Sequence, residues 1–294
     1  MMVSMSRRQA LAGSLLAFPA VAAVGTDALA QDAASELVAL ERRHPGRICV
    51  SVLNLASGKR LDHRADERIL ICSTFKAIAA ALVLHRVDRG EEKLDRRIRF
   101  SKKDLVPHAP STGPRVGGTG MTIAELCEAM MTLSDNAAAN LLLASFGGPA
   151  ALTAFFRKLG DEVSRLDRIE IELNTHDHPG DVRDTTTAAA MLKNLQKLLF
   201  TDVLSNPSRS QLAAWLIANK TGDTRLRAGV PANWLVGDRT GTNGDKHGNA
   251  NDVAVMWPPD RAPIIVTAYC EIPSIEGNQR NTVIAEIGRI ASRV

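Results

Sequence analysis

Apolar residues recur along this chain in distinct periods, and the periods divide it. Between Ser73 and about Ala213 the spacing is helical: Phe75, Ile78, Ala79, Leu82 and Val83 share one face, as do Ile123, Leu126, Cys127 and Met130. Asp32–Arg43 reads as a further helix, with Leu37, Val38 and Leu40 against charged neighbours, and Asn281–Val294 as an amphipathic helix closing the chain. Short β-branched runs predict strands at Ile48–Leu55, Trp234–Gly237, Asp252–Trp257 and Pro263–Cys270, punctuated by Gly, Pro or Asn. The stretch Leu166–Asp184 has neither period; it is polar and contains Pro179-Gly180.

The order helix, strands, long helical block, strands, helix predicts an α/β fold of the α+β type. An antiparallel sheet flanked by helices is built from both chain ends, residues 31–67 and 214–294. Residues 68–213 are inserted as an all-helical lobe that includes the loop 165–184. A small-molecule site is expected between the lobes. The 294 residues suffice for one large domain or two modest ones, and 45% apolar with 23% charged residues is ordinary for a globular protein. The net charge is only +4 and the basic residues are spread out, which argues against nucleic acid as a partner.

Residues 1–30 read as an export signal rather than as fold. Arg7-Arg8 precede an apolar run from Ala10 to Val24, and Ala28-Leu29-Ala30 is a small-residue cleavage site. The Ser6–Leu11 stretch resembles a twin-arginine motif, with Ala10 where a larger apolar residue is usual. The run falls short of the ~20 residues that span a bilayer and is broken by Pro19. A mature protein starting near Gln31 is expected in the periplasm or secreted, with no membrane span. Cys49, Cys72, Cys127 and Cys270 match no zinc or redox spacing. Cys49 and Cys270 both lie in strand-like runs, leaving two readings: a cross-strand disulfide, or four buried free thiols, the second favoured.

Three short elements carry chemistry. Ser73-Thr74-Phe75-Lys76 puts a hydroxyl and an amine three residues apart on one helix face. A serine needs such a neighbouring proton acceptor to become a nucleophile. Ser134-Asp135-Asn136 follows a helical run, and Arg239-Thr240-Gly241 sets a cation, a hydroxyl and an unobstructed backbone at a strand end. Singly, each reads as a cap or a turn. His176-Asp177-His178-Pro-Gly-Asp181 prompts a zinc reading, but zinc needs three or four converging ligands and the other histidines show no supporting spacing. No metal and no cofactor are expected.

Together and in this order, the three elements resemble the motif set of the class A serine β-lactamases. Asn140-Leu-Leu-Leu, Gly147-Gly-Pro149, Leu152–Phe155 and Arg165–Arg168 extend the resemblance over nearly the whole chain after the signal. Glu170-Ile-Glu-Leu-Asn174 is similar to the family's Glu-x-x-Leu-Asn omega-loop signature, which the cell-wall D,D-peptidases of the same fold lack. It separates the chain from those peptidases. Acylating sensor modules, which usually hang from membrane segments, are the other rival.

The resemblance implies a monomeric β-lactamase that hydrolyses the cyclic amide of penicillins, and of some cephalosporins, through an acyl-enzyme, conferring resistance. It implies Ser73 as nucleophile, Lys76 and Glu170 as candidate bases for acylation, Ser134 as proton relay, and Glu170 as activator of the deacylating water that Asn174 holds. It implies backbone N–H groups of Ser73 and Thr242 as oxyanion hole, Asn136 on the substrate's side-chain amide, and Arg239, Thr240, Gly241 and Thr242 on its carboxylate side. Arg168 and Asp184 match the pair that closes the loop.

Departures from the family pattern are informative. Arg239 stands where lysine is usual, a variant of penicillin-selective members. Ala250 stands where some members carry a carboxylate-binding arginine, a role that passes to Arg225. Ile171 replaces the usual proline after the catalytic glutamate, where the bond is often cis. His108 replaces a gatekeeper aromatic at the cleft, and the Gly244–Gly248 hairpin is about two residues long for the family. Cys72 matches carbapenem-hydrolysing members that bridge this position, but the partner position near Asn243 is not cysteine.

Overall fold

A computed structural model describes residues 24–244 and 247–294, with side chains from residue 32. Most of the export segment read above, residues 1–23, and Asp245 and Lys246 of the hairpin lie outside the described residues.

Five strands form one antiparallel sheet: β1 (Arg47–Asn54), β2 (Arg60–His63), β3 (Leu235–Thr242), β4 (Asn249–Trp257) and β5 (Ile264–Glu271), in the order β2-β1-β5-β4-β3. Both chain ends contribute to it, because β1 pairs along its whole length with β5. Among the described residues eight helices surround it: α1 (Val24–Arg43), α2 (Phe75–Asp88), α3 (Ile123–Thr132), α4 (Asn136–Phe146), α5 (Gly148–Lys158), α6 (Ala188–Phe200), α7 (Asn206–Ile217) and α8 (Gly277–Ala291).

The alternation of strand side chains sorts the core into two layers. Cys49, Val253, Val255, Ile265 and Tyr269 face the helical lobe, and pack with α2, α3, α6 and α7. Ile48, Val50, Ala254, Met256 and Cys270 face the opposite way, against Leu37 and Leu40 of α1 and Ile284 and Ile287 of α8. With both faces covered, seven of the eight residues of β1 are buried. Neighbouring strands therefore carry Cys49 and Cys270 on opposite faces, with Cys49 level with Tyr269 and Cys270 level with Ile48. All four cysteines are free and buried, as the second reading had it.

Helix α2 is buried on every side from Phe75 to Leu84, Lys76 included. A helix apolar all round belongs in the centre of a lobe, and this one carries the Ser73/Lys76 pair at its start. A 3-10 turn, Cys72–Thr74, leads into it. Thr74 Oγ1 donates to Ile71 O at 2.6 Å and meets Tyr269 Oη at 3.1 Å, which fixes the turn against β5.

The strands differ from their expected extents in an instructive way. β3 continues five residues past Gly237 to Thr242, and β4 begins at Asn249 rather than Asp252. Apart from Ala250 the added residues are not apolar, yet all but Thr242 are buried, so hydropathy hides them. β2, a four-residue edge strand of Arg-Leu-Asp-His, carries too little apolar signal to be read. Helix α8 starts at Gly277, one turn before Asn281. Among the described residues no single helix is long and apolar enough to cross a membrane.

Candidate active site

A cleft of about 320 Å³ opens between the sheet edge and the helical lobe, lined by Ser73, His108, Ser134, Asn136, Glu170, Asn174, Thr221, Arg225, Thr240, Gly241 and Thr242. Three of its framing residues, Cys72, His108 and Ser134, hold positive φ of 44°, 63° and 58°. A non-glycine residue there is held by its surroundings at a local cost, and such residues cluster at functional sites.

Around Ser73 the polar side chains converge. Ser73 Oγ donates to Glu170 Oε1 at 3.0 Å, and Lys76 Nζ reaches the same oxygen at 2.9 Å. Lys76 Nζ also donates to Asn136 Oδ1 at 2.6 Å and to Ser134 O at 3.0 Å, with Ser134 Oγ at 3.3 Å. Burial drives the Lys76 amine down to about 8, against the opposing pull of Glu170. Burial alone would raise the Glu170 carboxyl, but the Lys76 charge and hydrogen bonds from Lys76, Asn174 and Ser73 outweigh it and hold it below its ordinary value.

The loop 165–184 delivers Glu170 because its ends are tied. Asp184 accepts from Asp167 N at 2.7 Å and Arg168 N at 3.0 Å, and its other oxygen from Arg168 Nε at 2.6 Å. Asp184 O accepts from Ile71 N at 2.9 Å, linking the loop end to the nucleophile's turn. The Glu170-Ile171 peptide bond is cis. Asn140 of α4 clamps the Glu170 backbone at both polar atoms, accepting from its N at 2.9 Å and donating to its O at 2.8 Å. Asn174 Nδ2 donates to Glu170 Oε2 at 2.7 Å, while Asn174 Oδ1 is buried with no hydrogen-bond partner among the described residues. It is a free acceptor beside a carboxylate.

The sheet edge supplies the facing wall. Gly241 passes so close to the nucleophile's turn that a Cβ there would lie 3.0 Å from Cys72 Cβ and 3.1 Å from Ser73 N. Arg225 donates to Gly241 O at 2.9 Å, Asn251 O at 2.7 Å and Thr242 Oγ1 at 2.6 Å, so its guanidinium backs the strand where the cleft ends. Arg239 sits deeper. It is fully buried, donates to Ser134 Oγ at 2.7 Å and to Thr240 O at 2.7 Å, and does not line the cleft. Desolvation lowers it to about 10. Its charge acts on Ser134 and Thr240 from behind. His108 stands at the rim with Nε2 2.9 Å from Leu133 O, and its own carbonyl accepts from Asn136 N.

Three contributors have no place in the sequence reading. Thr221 Oγ1 lies 2.5 Å from Thr240 Oγ1 and lines the cleft. Asn140 clamps Glu170 as described. Asp135 accepts from Ser111 N, Thr112 N, Thr112 Oγ1 and Ala138 N, binding the Ser134 turn to the loop that carries His108. Asp135 and Asn140 do lie inside stretches that resembled the family, yet neither touches the cleft; only the contact map assigns them a task.

Comparison with known proteins converges on one family. The family model for the "Beta-lactamase enzyme family" matches residues 32–294. β-Lactamase L2 of Stenotrophomonas maltophilia is 49% identical over 274 residues, 93% of this chain and 89% of the relative. The carbapenem-hydrolysing β-lactamase KPC of Klebsiella oxytoca is 45% identical over 289 residues, covering 98% of this chain and 97% of the relative. Among solved structures, an ancestral class A β-lactamase superposes with a TM-score of 0.85 at 59% identity, covering 88% of this chain and 98% of that one. A putative class A β-lactamase, PenP, from Rhodopseudomonas palustris gives 0.84 at 56%, covering 90% and 98%. Motif order, fold and relatives agree: the chain belongs to the class A serine β-lactamase family and is a hydrolase of β-lactams.

Proposed function

We propose that the enzyme is an exported, monomeric penicillinase in which Ser73 is acylated and Glu170 serves as base in both half-reactions. The observation that carries this is the Ser73 Oγ–Glu170 Oε1 hydrogen bond at 3.0 Å, made to an oxygen that Lys76 Nζ holds at 2.9 Å. The serine proton already points at a carboxylate kept ionised by a cation. As Oγ attacks the lactam carbonyl carbon, Glu170 takes that proton, and the charge developing on the carbonyl oxygen falls to the backbone N–H groups of Ser73 and Thr242. The carbon–nitrogen bond then breaks: Ser134, held between Lys76 and Arg239, passes its proton to the leaving nitrogen, and the proton on Glu170 returns through Lys76 Nζ to Ser134 Oγ, leaving Glu170 ionised again for the second half. In the second half, water attacks the ester carbon. Its proton goes to Glu170 and then to Ser73 Oγ, freeing the serine and the ring-opened acid. Asn174 Oδ1, the free acceptor beside Glu170, suits the water's other hydrogen.

The substrate carboxylate is assigned to Thr240, Thr242 and Arg225, with Arg239 adding charge from beneath; Asn136 is assigned to the side-chain amide and His108 to the rim. Arginine in place of lysine at Arg239 supports a preference for penicillins, because its planar fork is spent on Ser134 and Thr240. Carbapenem turnover belongs to one relative by its name and is not expected of this enzyme, since Asn243 stands where a bridge to Cys72 needs a thiol. A site complete within one chain supports the monomer. Export is supported by Arg7-Arg8, the apolar run and Ala28-Leu29-Ala30. Peptide mapping after brief exposure to benzylpenicillin tests the assignment. One ligand mass is expected on the peptide holding Ser73 and none in Ser73→Ala; an adduct elsewhere refutes it. N-terminal sequencing of the mature protein is expected to begin near Gln31, and an intact apolar run would contradict export.

A further inference from the structure

Beside the catalytic cleft lies a larger cavity, of about 740 Å³, whose walls include His176, His178 and Asp181 of the omega loop, His247 of the β3–β4 hairpin, and Arg47 and Glu271 of the sheet. We propose that His176 and His247 form a binding site for a divalent transition-metal ion of the zinc, nickel or copper kind, which straps the omega loop to the β3–β4 hairpin.

The pair supplies two of the ligands that such a site requires. His176 Nδ1 and His247 Nε2 are both buried without a hydrogen-bond partner among the described residues, an arrangement proteins ordinarily avoid. The rings stand perpendicular, with centroids 5.9 Å apart. Two imidazole nitrogens about 2.0–2.1 Å from one tetrahedral ion put their ring centroids roughly 5 Å apart, within about 1 Å of the separation between these rings.

The backbone on either side is already positioned. Thr175 O accepts from Arg168 Nη2 at 2.5 Å, and Asp177 pairs with Arg183 at 2.6 Å, so the chain flanking His176 is tied down on both sides. Gly248, next to His247, holds φ +64°, and a Cβ there would lie 2.5 Å from Pro273 N. The cavity's cations do not stand against a metal. Arg47 pairs with Glu271, and Arg68 donates to Val163 O and Thr185 Oγ1 at 2.9 Å each. Among the described residues no three His, Cys, Asp or Glu side chains converge. The protein therefore supplies two imidazoles and solvent completes the shell, with the affinity of an adventitiously open rather than a closed structural site.

The consequence reaches the catalytic loop. Asn243 Nδ2 already donates to Asn174 O at 3.2 Å from the same hairpin. A metal on His176 adds a second tie two residues further along, on the segment that holds Asn174 against Glu170. The histidine run read from the sequence as lacking supporting ligands gains one only because the fold returns His247 to it.

Calorimetric titration of the untagged protein with zinc chloride near pH 7.5 tests the proposal. One ion per chain is expected. His176→Ala and His247→Ala should each weaken binding tenfold or more, and His178→Ala should leave it unchanged. Zinc at tenfold excess over its Kd should raise the Tm of the wild type and of His178→Ala by about 3 °C, and of neither other variant. No saturable zinc binding by wild type overturns the proposal, as does binding that survives both substitutions. A Tm rise with inorganic phosphate and none with zinc assigns the cavity to an anion instead, and also overturns it.

Discussion

Replacing Glu170 by glutamine removes one charge from a site where both carboxylate oxygens are engaged. The carboxylate is 1% exposed, and its two oxygens accept from Ser73, Lys76 and Asn174. Breaking a buried ion pair costs about 3–5 kcal/mol when the remaining charge stays. Here it need not stay. Lys76 is already lowered to about 8, and Glu170 is the largest influence holding it that high. Without Glu170 the weaker pull of Asp135 is left to oppose desolvation and the Arg239 charge, so the amine is lowered further and gives up its proton more readily. The fold therefore loses less than the full ion-pair cost, and the neutral Lys76 becomes a substitute base close to Ser73. Acylation should persist at a reduced rate. Deacylation has no such substitute, because the water stands by Glu170 and Asn174; a positioned base contributes about 10²–10⁴-fold, and the loss should be of that order. The assay is intact-protein mass spectrometry at timed intervals after mixing with benzylpenicillin, with Glu172→Gln alongside. Glu172 is exposed and lies outside the lining of the cleft, so its variant should turn over like wild type. Deacylation of Glu170→Gln at the wild-type rate, or trapping in Glu172→Gln instead, would refute the reasoning.

Four further outcomes follow from the structure. The kcat/KM profile should fall on the acid side below pH 4.5, where Glu170 protonates, and on the alkaline side as Lys76 loses its proton near pH 8; a rate that climbs through pH 8 would make neutral Lys76 the acylating base. Because Lys76 is lowered from 10.5 to about 8 in the fold, the unfolded chain binds more protons in that window, and this group by itself makes stability rise with pH between the two values. Arg225→Ala should lower kcat/KM for penicillins about ten- to a hundredfold, the worth of a charge-assisted hydrogen bond in the transition state, with Arg225→Lys recovering part of it; an unchanged value in Arg225→Ala would show that Arg239 suffices. Thiol titration of the purified, non-reduced protein should count four thiols after unfolding and almost none before, since burial raises all four, Cys49 to about 12; two thiols after unfolding would mean that a disulfide forms after all.

What sequence alone determined here is whatever depends on local periodicity or on residues fixed by chemistry. The helical block shows itself because α2, α3 and α6 repeat apolar residues at helical spacing, and the strands because β1 and β5 are β-branched runs buried on both faces. Ser73 with Lys76 and Glu170 with Asn174 were legible as motifs, since each pair sits within one turn or one loop. Tertiary structure decided the rest, for one physical reason: polar groups buried by distant partners leave no periodic trace. The tails of β3 and β4, Asp238–Thr242 and Asn249–Asp252, are polar yet ordered, because each is paired along the sheet. Arg239 reads as a cleft cation, but only packing sets it beneath Ser134. Asn140 becomes the clamp on Glu170 from 30 residues away, and His247 meets His176 across two loops. Even the cysteines turn on this: both lie in adjoining strands, and the pleat, which no hydropathy pattern reports, puts Cys49 and Cys270 on opposite faces.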